Sequence, residues 1–118
     1  MENKQQIDYV QEVIERVDKE FNSFIAEVLK KTPEEIFYTN YEIHVKTEIS
    51  DVILENCLDE DIYKLLYDFG EGLLGYLYND FLSTEYASVN TYDDTEQFII
   101  DSIKYWRETT GGNNNGNV

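Results

Sequence analysis

Ile7, Val10, Ile14, Val17, Phe21, Phe24 and Val28 recur at alternating spacings of three and four residues. Only an α-helix brings such positions onto one side, so the spacing predicts a long helix over roughly residues 3–30. Val13, Ile25 and Leu29 widen the stripe, which suits a bundle helix better than a narrow coiled-coil seam. So apolar a face must be covered, either by the rest of the same domain or by a partner or second copy. Ile7 and Val10 lie far toward one end, and the first two turns are expected to overhang the body.

Thr32-Pro33-Glu34-Glu35 is the clearest local signal that follows. Thr32 can cap the free N–H groups, Pro33 fits the first helical position, and Glu35 closes a capping box. A second helix is expected from about 33 to 56. Tyr38, Tyr41, Val45, Ile49 and Val52 make its main apolar face, with Ile36, Ile43 and Ile53 beside it. Thr39, Val45 and Thr47, with the isoleucines, weaken helix propensity enough to allow a break near 46–48. Asp59 is placed as N-cap of a third helix, with Glu60 and Asp61 in its first turn. Ile62, Leu65, Leu66 and Phe69 form its buried side, and Gly70 ends it. Residues 71–83 form a fourth helical segment, residues 84–91 a loop, and Asp93 to about Glu108 a final helix. The expected fold is all-α: a compact bundle of four to five helices. Residues 1–110 make a single domain, and the Gly- and Asn-rich residues 111–118 a flexible tail.

Charge separates the functional classes. The 118 residues carry 25 acids and nine bases, a net charge of −16. Residues 1–46 hold ten acids and six bases, whereas residues 47–103 hold fourteen acids and one base, Lys64. Such a field repels phosphates, which argues against direct contact with nucleic acid or an anionic membrane. There is no apolar run long enough to span a bilayer, and Met1 to Gln6 lacks the apolar stretch of a secretion signal. The single cysteine, Cys57, cannot form an internal disulfide. The expectation is a cytoplasmic protein.

Motifs that would carry chemistry fail on context. Gly70-Glu71-Gly72-Leu73-Leu74-Gly75 matches the G-x-G-x-x-G dinucleotide fingerprint, but a helix rather than a strand precedes it, and Asp68 and Glu71 oppose a phosphate. Asp68-Phe69-Gly70 spells a kinase magnesium motif without any of its companions. Asn90, Tyr92, Asp94 and Asp101 can be laid on a calcium loop, yet Thr95 stands where that loop needs glycine. His44 and Cys57 are too few for zinc, and acids beside Cys57 disfavour a thiolate nucleophile. No catalytic residue, metal site or cofactor is expected, and the chain does not read as an enzyme.

Glu48, Asp51 and Glu55 follow the three-and-four rule and so line one helix face, one charge roughly every 5 Å. A DNA strand carries one per about 3.4 Å, so the density is lower but comparable. Asp59, Asp61 and Asp68 can continue the line on the next helix. Asp80, Glu85, Asp93, Asp94 and Glu96 can form a second cluster. Of the ten tyrosines, Tyr38 and Tyr41 read as core, whereas Tyr63 and Tyr67 are interleaved with acids. Tyrosine in that setting either packs inward or serves as an aromatic anchor for a partner.

Four segments carry a resemblance: Phe21-Asn22-Ser23-Phe24, Thr32-Pro33-Glu34-Glu35-Ile36, Tyr41-Glu42-Ile43 leading into Lys46-Thr47-Glu48-Ile49, and Leu77-Tyr78-Asn79-Asp80-Phe81-Leu82. Over residues 17–82 the chain resembles a family of small helical proteins of unknown function from gut Firmicutes and their phages. The resemblance implies a helical fold and a mobile-element context. It carries no catalytic residue.

Together these features point to a non-enzymatic acidic protein that mimics nucleic acid. It would occupy a basic nucleic-acid-binding site on a host protein, such as a Cas nuclease or another defence effector, as anti-CRISPR inhibitors do. The partner-binding residues expected are Glu48, Asp51, Glu55, Asp59, Asp61 and Asp68, supported by Tyr63 and Tyr67. The alternative is a helical oligomerisation or regulatory module, a homodimer for example, acting through Ile7, Val10 and Ile14 of the N-terminal helix.

Overall fold

The computed structural model describes residues 7–83 and 92–111. Five α-helices are present among them: α1 (Tyr9–Val28), α2 (Pro33–Leu54), α3 (Glu60–Phe69), α4 (Leu73–Leu82) and α5 (Tyr92–Trp106), followed by a π-helical turn, Arg107–Gly111. No strand occurs among the described residues. The fold is all-α, as the periodicity requires. The expected helix over residues 3–6, the loop at 84–91 and the tail beyond 111 lie outside the described residues.

Local chemistry accounts for the helix ends. Asp8 accepts the Gln11 amide at 3.1 Å and caps α1, which begins at Tyr9. At α2 the capping box is complete: the Glu35 amide donates to Thr32 Oγ1 at 3.2 Å, and the Thr32 amide donates to Glu35 Oε1 at 2.9 Å. α2 then runs unbroken through residues 46–48, where the propensities allowed a break. The Thr39 and Thr47 hydroxyls bond back to the Glu35 and Ile43 carbonyls at 2.8 and 2.7 Å, so neither competes with the helical ladder. Asp59 occupies the N-cap of α3, though its side chain makes no capping bond; its carbonyl receives the Ile62 and Tyr63 amides instead. Gly70, at φ 95°, ends α3 in a conformation that side chains rarely adopt.

α1 and α2 form an antiparallel hairpin. α3 packs on α1, α4 on α1 and α2, and α5 closes over α2, α3 and α4. The core joins Val13 and Val17 to Val45, Ile49, Val52 and Ile53, then to Ile62, Tyr63, Leu66, Leu73, Leu77, Phe81, Phe98, Ile99 and Ile103. Phe81 and Phe98 meet edge to face at 5.2 Å. Val10 and Ile14 pack partly against this core and Ile7 stays 44 % exposed, so the seam offered to a partner is largely used within the chain.

Of the expected overhang at the start of α1, residues 3–6 lie outside the described residues and Val10 packs against the core; the exposed apolar side chains of α2 lie in its first half. All buried residues of α2 fall in its second half, from Val45 onward. Before Val45, only Ile36, Thr39, Glu42 and Ile43 are even half-buried. Tyr38 and Tyr41, expected in the core, are 76 % and 42 % exposed. Tyr38 stands seven residues before Val45 and continues the same face, but nothing is stacked above it there.

Candidate functional site

α2 is covered on two sides, by α1 and by the α4–α5 layer. The remaining side is solvent-facing and runs Phe37, Tyr41, His44, Glu48, Asp51, Glu55 in steps of four and three. This one face has two chemistries. Its N-terminal half carries aromatic rings, with Phe37 and Tyr38 edge to face at 5.5 Å, and its C-terminal half carries carboxylates. His44 stands at the boundary, with Nε2 3.9 Å from a Glu48 carboxylate oxygen.

The three carboxylates interact. Asp51 has its pKa raised from the ordinary value, first by partial burial, then by the charges of Glu55 and Glu48. Among the described residues no lysine or arginine pairs with Glu48 or Asp51. The chain then turns through Asn56, held at a left-handed φ of 56°, into α3. Asp59 and Asp61 are exposed there, in the first turn of α3, where negative charge also complements the helix dipole.

The other expected partner residues are not available in the same way. Tyr63 does not reach the surface: it is 0 % exposed, and its hydroxyl donates to the Ile53 carbonyl at 2.6 Å, locking α3 to the end of α2. Tyr67 is half-buried, edge to face with Tyr9 at 5.0 Å and under the Arg16 guanidinium at 5.4 Å. Asp68, at the far end of α3, is ion-paired with Arg107 from the π turn. These three hold the bundle together. In the second acidic cluster, Asp80 accepts the Ser102 hydroxyl at 2.6 Å and so ties α4 to α5, while Glu85 and the side chains of Asp93 and Asp94 lie outside the described residues.

The glycine-rich segment has a different use from the one its pattern suggests. Gly72, at φ 85°, begins α4, and the Glu20 carboxylate from α1 accepts the Gly72 and Leu74 amides at 2.7 and 2.8 Å. A dinucleotide site would place a phosphate at such a helix start. Here the chain's own carboxylate fills it. Beside it lies a groove of about 350 Å³ lined by Arg16, Lys19, Glu20, Phe24, Lys46 and Leu74 among others. Two of its three bases, Arg16 and Lys46, are engaged in the fold. Arg16 donates to the Leu66 and Tyr67 carbonyls at 3.4 and 3.2 Å, at the C-terminal end of α3. Lys46 pairs with Glu42 at 2.8 Å and sits 4.1 Å from the Phe24 ring centre.

Among the described residues no group of three His, Cys, Asp or Glu side chains is arranged to hold a metal ion. Asp94 and Asp101 belong to one continuous helix, with Thr95 buried between them, so no calcium loop forms there. No helix of the described residues is long and apolar enough to cross a membrane. Compared with protein-family models, curated proteins and solved structures, the chain matches none of them.

The sequence reasoning missed Phe37 and Glu20. Phe37 was open to discovery, because it falls on the same four-and-three line as Glu48 and Asp51. No local signal marks Glu20, whose two donors, the Gly72 and Leu74 amides, lie more than fifty residues away.

Proposed function

We propose that this is a non-enzymatic acidic binding protein that presents the carboxylates of α2 to a basic, nucleic-acid-binding partner and competes with nucleic acid for that surface. The line of Glu48, Asp51 and Glu55 carries the reading. It concentrates like charge on one face, where partial burial first, and then the charges of Glu55 and Glu48, raise the pKa of Asp51, and each like-charge pair costs the helix about 0.2–0.5 kcal/mol. Asp59 and Asp61 extend the surface at the α2–α3 corner, whereas Tyr63 and Tyr67 pack inward and Asp68 is ion-paired with Arg107 at the far end of α3. Long-range attraction would give fast association that weakens with salt. A phage or mobile-element inhibitor of a defence nuclease, of the anti-CRISPR kind, is the setting this chemistry suits.

The test is displacement of DNA from a purified Cas nuclease by the full chain, across a salt series. Displacement should weaken as salt rises, and should be lost when Glu48, Asp51 and Glu55 are all changed to lysine. Salt-independent displacement, or displacement unaffected by the triple reversal, would overturn the carboxylate face as the contact.

A further inference from the structure

Seven large hydrophobic side chains are strongly exposed among the described residues, and four of them crowd the tip of the α1–α2 hairpin: Leu29, Phe37, Tyr38 and Tyr41. Leu29 is 73 % exposed, Phe37 72 % and Tyr38 76 %. Rings of this kind bring about 150–250 Å² each to a contact, and a concentration of them on one projecting element marks an interaction surface. Lone exposed residues elsewhere, such as Leu82 and Tyr105, need no such account.

Charge identifies the occupant. The tip is the near-neutral part of a strongly acidic molecule: residues 27–46 carry Glu27, Glu34, Glu35 and Glu42 against Lys30, Lys31 and Lys46. Both signs are therefore present on a surface able to meet a copy of itself, whereas residues 47–103 hold fourteen acids and one lysine. Two copies docked through their bodies would bring those fields together. Two copies docked tip to tip keep them apart.

We infer that the hairpin tip is a self-association surface, on which two copies of this chain pack their α2 helices antiparallel about a two-fold axis near Tyr38 and Tyr41. In that register Phe37, Tyr38 and Tyr41 of each copy cover those of the other. Glu48 of one copy comes level, along the axis, with Lys31 of its mate. The two acidic segments begin about 11 Å on either side of the axis, about 22 Å apart, at 1.5 Å per residue. That is more than two Debye lengths at physiological salt, each about 8 Å, so repulsion between the bodies is largely screened. A two-fold contact of this kind uses the same patch on both copies and closes at a dimer. The inference does not rest on the carboxylate-face proposal, with which it shares only Glu48, and it uses a different surface from the N-terminal seam formed by Ile7, Val10 and Ile14.

Sedimentation equilibrium of the full chain over a wide concentration range tests it. The expected result is a reversible shift from 13.9 kDa to twice that mass. Phe37→Glu and Tyr38→Glu, both at exposed positions, should each raise the dissociation constant about tenfold or more, with melting temperatures unchanged at concentrations where the wild-type chain is monomeric. Lys31→Glu should weaken the dimer, and adding Glu48→Lys to it should restore association. A chain that stays monomeric throughout overturns the inference. So does a dimer that survives Phe37→Glu and Tyr38→Glu, or one abolished by Ile7→Glu but not by them. DNA displacement by a strictly monomeric chain would reject the dimer while leaving the carboxylate-face proposal intact.

Discussion

The Glu20 carboxylate, on α1, receives the backbone amide of Gly72 at 2.7 Å, across 52 residues of sequence, and with its second oxygen receives Leu74 at 2.8 Å. A helix start that lacks a capping side chain of its own is thus capped from another helix. The bond pair also pins the α3–α4 junction, where Gly70 and Gly72 both take positive φ, onto the hairpin.

Changing Glu20 to alanine should destabilise the protein by about 1–2 kcal/mol, the usual cost of a lost helix cap. Glu20→Gln keeps an acceptor but loses charge, so it should fall between alanine and wild type. Urea denaturation of the three proteins checks the order.

Tyr63 should behave as a structural residue. Its pKa is pushed up to about 12, chiefly by burial. Because the folded value exceeds the unfolded one of about 10, the stability it contributes is complete below pH 10. That contribution is lost as pH rises toward 12. Tyr63→Phe should cost about 1–3 kcal/mol at neutral pH, since the Ile53 carbonyl loses its side-chain donor, and should reduce the loss of stability above pH 10. Thermal melts in an alkaline series would show both effects.

Asp51 has the opposite standing: its raised pKa means the ionised form is the costly one. The relative stabilisation exists below its ordinary pKa of 3.8 and is lost as pH climbs through the raised folded value. Asp51→Asn should therefore stabilise the protein by a few tenths of a kcal/mol at neutral pH, more at low salt. The difference should vanish in acid. The same substitution should weaken binding to a basic partner, so stability and affinity move in opposite directions.

Ser50 is 1 % exposed, and its hydroxyl has no hydrogen-bond partner among the described residues. A buried, unpaired hydroxyl costs about 1–3 kcal/mol, and alanine is the better helix former. Ser50→Ala is expected to raise the melting temperature, measured by calorimetry at neutral pH.

The helical class was legible because the evidence for it is local. The three-and-four recurrence in α1, the Thr32–Glu35 box before α2, and Gly70 after α3 each act within a turn or two of chain. The charge contrast between residues 1–46 and 47–103 was legible too, since charge is counted directly. The line of Glu48, Asp51 and Glu55 on one face of α2 needed only the helical repeat. Burial of the tyrosines was not legible. Tyr38 and Tyr41 sit at apolar-periodic positions yet are exposed, and Tyr63 sits among acids yet is buried; periodicity says which side of a helix is apolar, not whether anything stands opposite.

Sequence alone thus determined that the chain is helical, where most helices begin and stop, and which stretch carries the negative charge. Tertiary structure decided which residues face out. α2 is 22 residues long and α4 only ten, so about half of α2 outruns the layer that would cover it. That difference in length exposes Tyr38, whereas Phe37 and Tyr41 stand on the side of α2 that no helix covers. Tyr63 is buried for the converse reason: the corner at Asn56 folds α3 back under the end of α2, so its hydroxyl reaches a carbonyl ten residues earlier. It likewise took the folded chain to bring Glu20 to α4 and Arg107 to Asp68. Contacts between residues so far apart are set by how the helices stack, which no local repeat encodes.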